Sequence, residues 1–279
     1  MLLELAVGDA YGAGFEYAPA ALIRQHNSAR YYVQHPRHAI RPGCYTDDTQ
    51  MSLAVAEALV SGEAWTAEYL AERFVQAFHR DQREGYSQRF YELLRQVRTG
   101  AELLAHIRPE SDKSGAAMRA APIGVMATPD TVENCCRLQA ATTHNTPDGI
   151  NAATAAALMT HYLLYGMGPK KDVGIFLESR VPGEWSSAWR GKVGQKGWMS
   201  VRAAITAVTR NHRLSDLLKD CVAFTGDVDT VASIALAAAS CSVEYEQDLP
   251  ASLVESLENG PFGRDYLIAL DRRLMALCA

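Results

Sequence analysis

Two acid-rich stretches lie far apart in the sequence, and each immediately precedes an apolar run with helical spacing. The first is residues 45–49 (Tyr-Thr-Asp-Asp-Thr), where Asp47 and Asp48 stand between two hydroxyls. The second is residues 226–230 (Gly-Asp-Val-Asp-Thr), which again ends in Asp-Thr. At a helix N-terminus the free N–H groups and the helix dipole favour one acid, but they do not require two. Each stretch alone fits either a helix cap with a spare acid or a cation site.

Together, the two stretches predict an all-oxygen metal site. If the two helix starts meet in space, they offer four carboxylates and two threonine hydroxyls, the ligands that Mg²⁺ and Mn²⁺ prefer. So many carboxylates in one place suit two metal ions better than one. The candidate metal ligands are Thr46, Asp47, Asp48, Asp227, Asp229 and Thr230.

Composition narrows the class of protein. With 279 residues, 48% of them hydrophobic, the chain can bury a substantial core. The net charge of -5 argues against a general nucleic-acid binder, which would show a basic face. The sequence shows neither a secretion signal nor a run of about 20 apolar residues, so we expect no membrane span. The six cysteines form no Cys-x-x-Cys pair, which favours a reduced, cytoplasmic protein without structural zinc.

Helical periodicity runs through most of the chain, and no stretch shows convincing strand alternation. We therefore predict an all-α fold of about ten to twelve helical segments, a single compact orthogonal multi-helix bundle over residues 1–279 with a dinuclear metal site. The predicted helices are 2–12, 47–62, 66–84, 87–98, 130–142, 148–166, 200–211, 214–224, the run after 230, 250–257 and 264–277.

Two stretches, residues 17–44 and 180–199, are predicted to be irregular. The histidines of the first stretch are interpreted as surface residues: His26, His35 and His38. The second stretch carries three tryptophans: Trp185, Trp189 and Trp198. Their rings would either stack on an adenine or acceptor group, or fix the loop to the core.

Residues 111–119 form a polar, glycine-bearing loop that is predicted to run into an alanine-rich helix. A helix start with free N–H groups can bind a phosphate, although an ordinary capped helix has the same spacing.

Five motifs in this order resemble those of the ADP-ribosylglycohydrolases, the relatives of the dinitrogenase reductase-activating glycohydrolase. The resemblance extends from residue 8 to about residue 242. The motifs are residues 8–16 (Gly-Asp-Ala-Tyr-Gly-Ala-Gly-Phe-Glu), 46–49 (Thr-Asp-Asp-Thr), 115–122 (Gly-Ala-Ala-Met-Arg-Ala-Ala-Pro), 143–144 (Thr-His) and 226–230 (Gly-Asp-Val-Asp-Thr).

The resemblance implies roles for individual residues. It makes Glu16 and Asp47 the catalytic candidates and implies two Mg²⁺ ions, with Mn²⁺ as an alternative. The implied contacts to ADP-ribose are Ser111, Lys113, Ser114, Gly115, Met118 and His144. The chain departs from the family in two places. Lys113-Ser114-Gly115 stands where members often have Gly-Asn-Gly, and a single glycine, Gly226, stands where many have two.

The function that follows is Mg²⁺-dependent hydrolysis of the glycosidic bond between ADP-ribose and an acceptor, with ADP-ribosyl-arginine on a protein as the expected substrate. The alternative is a non-catalytic, metal-dependent ADP-ribose-binding protein of immunity or crystallin type. Residues 227–231 also fit the Asp-x-Asp nucleophile motif of haloacid dehalogenase-like phosphatases, but that motif belongs after an early strand. A His-Asp phosphohydrolase would need a His-Asp dipeptide, which the chain lacks.

Overall fold

The computed structural model of the protein describes residues 1–278. Fourteen α-helices form within these residues, joined by loops and four single 3₁₀ turns. In chain order they are α1 (Leu2–Ala13), α2 (Ala20–His26), α3 (Asp47–Ser61), α4 (Ala67–Arg80), α5 (Gln88–Gln96), α6 (Gly100–His106), α7 (Pro129–Ala141), α8 (Pro147–Leu164), α9 (Val173–Glu178), α10 (Gly197–Arg210), α11 (Leu214–Ala223), α12 (Val228–Ala239), α13 (Ala251–Ser256) and α14 (Arg264–Met275).

The predicted all-α class is confirmed. Among residues 1–278, β-pairing is limited to three isolated bridges. The structure has more helices than predicted because α2, α6 and α9 have only six or seven residues. Helices this short make too few turns to show a 3.6-residue period. The helix α2 also lies inside residues 17–44, which were predicted to be irregular.

The helix α12 is the centre of the molecule. All twelve of its residues are buried, as expected for a helix that is apolar on every face. It packs against α1, α8, α10 and α11. The start of α12, which carries the second acid-rich stretch, is therefore held on several sides.

Two glycines bring α1 into backbone contact with α12. A Cβ atom on Gly8 would lie 2.6 Å from the carbonyl oxygen of Ala232, and one on Gly12 would overlap the Cα atom of Asp229. Because both positions lack a side chain, the two helices approach more closely than larger residues would permit. This contact places the end of α1 beside the start of α12.

The prediction of an alanine-rich helix after residues 111–119 is wrong. Only two 3₁₀ turns form there, Ser114–Ala116 and Ala121–Val125. Pro122 has no N–H group and biases the residue before it away from the α conformation, so an α-helix does not propagate through this segment. A phosphate site at an α-helix N-terminus is therefore not formed here.

Two further expectations can be compared with the described residues. All six cysteines are free thiols. No helix among residues 1–278 combines the length and the apolarity that crossing a membrane requires.

Candidate metal and glycosidase site

The first acid-rich stretch is held by a carboxylate from another helix. Asp9 of α1 is fully buried. Its Oδ2 atom accepts hydrogen bonds from the Thr46 and Thr49 amides at 2.9 and 3.0 Å and from Thr49 Oγ1 at 2.6 Å. Its Oδ1 atom accepts one from Thr46 Oγ1 at 2.8 Å. Asp9 thus satisfies N–H groups that a helix start leaves free, and it fixes the start of α3.

Asp47 and Asp48 form the first turn of α3, and both are buried. Thr46 is the N-cap of α3, and its hydroxyl accepts a hydrogen bond from the Asp48 amide at 3.3 Å. Asp48 Oδ2 is a buried oxygen with no hydrogen-bond partner among residues 1–278. A buried carboxylate oxygen without a donor is costly unless it binds something else.

A glycine outside the recognised motifs makes room for Asp47. Gly85 has a φ of +110°, which residues with a side chain rarely adopt, and a Cβ atom there would overlap Asp47 Oδ1. The Glu84 carbonyl, next to Gly85, also accepts a hydrogen bond from the Asp47 amide at 3.2 Å. The position of Asp47 therefore depends on a glycine at residue 85.

The second acid-rich stretch opens α12. Gly226 has a φ of +95°, and the Val193 carbonyl occupies the space that its Cβ would need, so only glycine fits there. Asp227 accepts a hydrogen bond from Ser200 Oγ at 3.0 Å, and Asp229 accepts one from the Thr230 amide at 3.0 Å. Both carboxylates are buried, and both face the same cavity as Asp47 and Asp48.

Glu16 completes the acidic site. It follows α1 on a tight turn, and one carboxylate oxygen from each of Glu16, Asp227 and Asp229 lies within 4.8 Å of the other two. At this distance two like charges repel by about 3 kcal/mol at an effective dielectric constant of about 20. Three such pairs approach the net stability of a whole domain, so a cation or a proton must accompany them.

The interpretation of His35 as a surface residue is wrong. Its side chain is 1% exposed, and its Nε2 atom lies 2.9 Å from Glu16 Oε2. The Nδ1 atom accepts hydrogen bonds from the amides of Arg37 and His38, both at 3.0 Å. Because Nδ1 is an acceptor, the proton of the neutral ring is on Nε2 and is donated to Glu16.

Five buried carboxylates gather around the two helix starts, and we call them the acid cluster. Its members are Asp9, Asp47, Asp48, Asp227 and Asp229. None of the ion pairs within residues 1–278 includes a member of the acid cluster. Burial, followed by the charge of Glu16, raises the pKa of Asp227 to about 6. Burial and the charges of Asp9 and Asp47 raise the pKa of Asp48 well above its usual range.

Tyr17, the residue after Glu16, has an unusual backbone conformation and a buried hydroxyl. Its φ of +50° is left-handed, which is uncommon for a residue with a side chain. Its amide donates to the Gly226 carbonyl at 2.8 Å, and Arg37 and Lys192 lie 4.9 and 5.1 Å from its ring centroid. Its hydroxyl is buried and has no partner among residues 1–278.

A cavity of about 790 Å³ opens over the acid cluster. Every site residue predicted from the sequence lines it except Thr46, which lies just behind Asp47. The structure therefore brings together the predicted catalytic, metal-binding and substrate-binding residues. The members of these three groups that line the cavity are Glu16, Asp47, Asp48, Ser111, Lys113, Ser114, Gly115, Met118, His144, Asp227, Asp229 and Thr230.

The sequence profile of the ADP-ribosylglycohydrolases matches residues 1–279. The chain belongs to the ADP-ribosylglycohydrolase family. It is 23% identical over 250 residues to the ADP-ribosylarginine hydrolase Tri1 of Serratia proteamaculans (strain 568), across 83% of this chain and 67% of that protein. It is 26% identical over 270 residues to the ADP-ribosyl-[dinitrogen reductase] glycohydrolase of Rhodospirillum rubrum, across 92% of this chain and 88% of that protein.

A solved structure shares the fold. The chain of an ADP-ribosylglycohydrolase-related protein complex superposes with a TM-score of 0.76 at 23% identity, and the match covers 100% of this chain and 96% of that one. Membership in the ADP-ribosylglycohydrolase family makes this protein a hydrolase of glycosidic bonds to ADP-ribose.

Residues 180–199 of this ADP-ribosylglycohydrolase, predicted to be irregular, are so only as far as Lys196, because α10 already begins at Gly197. Trp185 is buried and donates from Nε1 to the Val181 carbonyl at 3.1 Å, and Trp189 packs edge-to-face on Trp198 at 5.8 Å. None of these three rings lines the cavity over the acid cluster. They fix the loop to the core, which was one of the two predicted roles.

The same segment holds the predicted substrate loop. The Ser114 amide donates to the Gln195 carbonyl at 3.1 Å, and the Gly197 amide donates to the Asp112 carbonyl at 3.0 Å. These cross-links fix residues 111–115 without an α-helix. Backbone pairing of this kind has no signature in the sequence of either segment.

One wall of the cavity is apolar, and the sequence did not assign it to the site. Within α5, Leu94 is fully buried, but Phe90 and Leu93 are half-buried and line the cavity together with Tyr86 and Ile107. An apolar stripe on a helix predicts burial against something, and it does not distinguish the core from a binding cavity.

Proposed function

We propose that this protein is a Mg²⁺-dependent ADP-ribosylhydrolase that cleaves the bond between ADP-ribose and a modified arginine of a protein. The observation that carries the proposal is the acid cluster, five buried carboxylates without a protein cation, beside Glu16 at one end of a large cavity. A structural role alone does not account for so much uncompensated negative charge in one place.

The residues present fit divalent cations. The donors are carboxylate and hydroxyl oxygens, the partner-free Asp48 Oδ2 is one of them, and repulsion within the group has no other counter-charge. When bound, such cations supply Lewis-acid polarisation of oxygen ligands. The residues that would hold two Mg²⁺ ions, or Mn²⁺ instead, are Thr46, Asp47, Asp48, Asp227, Asp229 and Thr230.

Glu16 is the proposed proton acceptor. Its Oε2 atom receives the Nε2–H group of His35, which fixes the carboxylate at the edge of the cavity and leaves its other lone pairs free. Arg37 Nη2, at 3.5 Å from Oε1, is largely exposed. Glu16 can therefore take a proton from water that attacks the anomeric carbon, in a reaction with oxocarbenium character. In this proposal Asp47 helps to orient that water.

The negative charge of the cavity and the activity of one relative support arginine as the group that carries ADP-ribose. The end of the cavity beside Glu16 is strongly acidic, which complements a cationic guanidinium leaving group. The relative from Serratia proteamaculans is an ADP-ribosylarginine hydrolase. The cavity lining also includes Phe90, Leu93 and Ile107, which offer an apolar wall for an aromatic base.

The test measures free ADP-ribose released from an arginine-ADP-ribosylated protein, with Mg²⁺ and with a chelator. We expect release that requires the metal and that falls by orders of magnitude in Asp229→Asn and Glu16→Gln. The matched control is Glu63→Gln, because Glu63 is an exposed acid outside the cavity.

Other outcomes separate the alternatives. Equal release in the chelator would refute the metal dependence. Release from another ADP-ribosylated acceptor but not from arginine would keep the reaction and change the substrate. Tight binding of ADP-ribose without release from any acceptor would make the protein a binder.

A further inference from the structure

Arg119 is a buried cation that no carboxylate neutralises. It is 1% exposed, and no ion pair within residues 1–278 includes it. Its Nε atom donates to Gln139 Oε1 at 2.8 Å, and its Nη2 atom donates to Thr143 Oγ1 at 2.7 Å and to the Gln139 carbonyl at 3.1 Å. The guanidinium also lies 4.2 Å from the ring centroid of Phe74, so a cation–π contact and these hydrogen bonds hold the buried charge beside the cavity.

The hydroxyl of Thr143 connects Arg119 to His144 through two hydrogen bonds. A guanidinium can only donate, so Thr143 Oγ1 is the acceptor of the bond from Arg119. The hydroxyl has one proton, and His144 Nδ1 lies 2.7 Å away. The structure gives that proton no other acceptor among residues 1–278. Because an unpaired buried hydroxyl proton is unfavourable, Thr143 donates it to Nδ1.

The tautomer of His144 follows from this bond. With Nδ1 as an acceptor, the neutral ring carries its proton on Nε2. His144 lines the cavity, and its Nε2 edge lies against Gly115, where a Cβ atom would be only 3.1 Å from Nε2. No protein partner of Nε2 is present among residues 1–278.

The same environment keeps the ring neutral. Burial, followed by the charge of Arg119, lowers the pKa of His144 to about 3. The ring therefore offers one N–H donor to the cavity throughout the neutral range.

We propose that Arg119 and Thr143 are positioning residues that hold His144 as an Nε2–H donor, so that the cavity selects a ligand with a hydrogen-bond acceptor at this point. A phosphate or ribose oxygen or an unprotonated ring nitrogen meets this requirement, and an N–H or NH₂ group does not. The identity of the ligand as ADP-ribose rests on the proposed function, whereas the tautomer does not.

The experiment has two readouts on the 279-residue chain. The first is the ¹⁵N spectrum of the histidine rings, with His144→Gln to assign the signals, which reports the tautomer directly. The second is the affinity for ADP-ribose in the presence of Mg²⁺. We compare Thr143→Ser, which keeps the hydroxyl, with Thr143→Val, which removes it at nearly constant shape.

We expect the Nε2–H tautomer and full affinity in the wild type and in Thr143→Ser. Thr143→Val should lose the fixed tautomer and bind roughly three- to tenfold more weakly, the range for one neutral hydrogen bond. The matched control is Thr142→Val, because the Thr142 hydroxyl is also buried but bonds only to the Leu138 carbonyl; its affinity should not change.

An Nδ1–H tautomer in the wild type would overturn the proposal, as would wild-type affinity in Thr143→Val. If the wild type binds no ADP-ribose, the proposed function fails, and the tautomer of the ligand-free protein still decides this inference.

Discussion

His35 donates a hydrogen bond from Nε2 to Glu16 Oε2 at 2.9 Å, and the backbone of its own loop fixes the ring that donates it. The two amides that bind Nδ1 belong to Arg37 and His38. The orientation of Glu16 therefore depends on how residues 35–38 fold. His35 does not line the cavity, but it positions Glu16, which does.

Removing the imidazole should release Glu16. We expect His35→Leu to lower kcat roughly tenfold or more, in line with the loss of a hydrogen bond to a charged group, and to change the binding of ADP-ribose little. His35→Gln, which can both accept and donate, should recover part of the loss. Steady-state kinetics on the two variants provides the measurement; equal kcat in the leucine variant and the wild type would contradict the role.

Removing one charge from the acid cluster should stabilise the metal-free protein. Asp48 Oδ2 has no partner, and the carboxylate is buried among like charges. In a chelator, Asp48→Asn should unfold at a higher temperature than the wild type. Its free energy of unfolding should be larger by about 1–2 kcal/mol. With Mg²⁺ the order should reverse, because only the wild type gains binding energy. Thermal unfolding in both buffers tests this, and a less stable variant in the chelator would refute it.

The stability of the metal-free protein, measured in a chelator, should depend on pH with a defined sign. The pKa of Asp227 is raised to about 6, so the folded state binds more protons than the unfolded state between about pH 4 and pH 6. The free energy of unfolding should therefore decrease as the pH rises through this window. Urea unfolding at pH 5 and pH 8 measures it, and Mg²⁺ should reduce the difference; stability that rises with pH in the chelator would be the wrong sign.

Gly85 should be essential for the site although it binds nothing. Gly85→Ala places a Cβ atom on Asp47 Oδ1, so Asp47 must move and activity should fall at least tenfold. Gly62→Ala is the control, because the φ of Gly62, +73°, is also positive but its Cβ would meet nothing within 4 Å. We expect both variants to lose stability and only Gly85→Ala to lose Mg²⁺ binding. Retained Mg²⁺ binding in Gly85→Ala would show that Asp47 can move without consequence.

Tyr17→Phe removes a hydroxyl that has no partner among the described residues. Since no protein hydrogen bond is lost, the melting temperature should not fall. If the hydroxyl contacts the bound substrate, kcat/KM should fall roughly three- to tenfold. Calorimetry and kinetics on the same sample test both statements, and unchanged kinetics would exclude the contact.

The sequence predicted the parts of the site that have a local signature. Thr46, Asp47 and Asp48 before an apolar run indicate a helix start, and so do Asp227 and Asp229. The all-α class also followed from periodicity alone.

The remaining parts depend on contacts between distant segments. Asp9 lies inside an apolar helix, and the hydroxyls that it binds are almost forty residues later. His35 was interpreted as exposed because its acid, Glu16, is not nearby in the sequence. The segment after Gly115 was predicted to be helical from its alanines, but Pro122 limits it to 3₁₀ turns. Composition and periodicity do not contain this information.

The contact of Gly12 with Asp229 joins positions more than two hundred residues apart. A chain emerging from the ribosome therefore has the first acid-rich stretch long before the helix that completes the acid cluster exists. Until α12 is synthesised and docks against α1, Asp47 and Asp48 are not joined by Asp227 and Asp229, and the acid cluster does not form. The proposed capacity to bind metal should consequently appear late and abruptly in biosynthesis, as a single event that also closes the core.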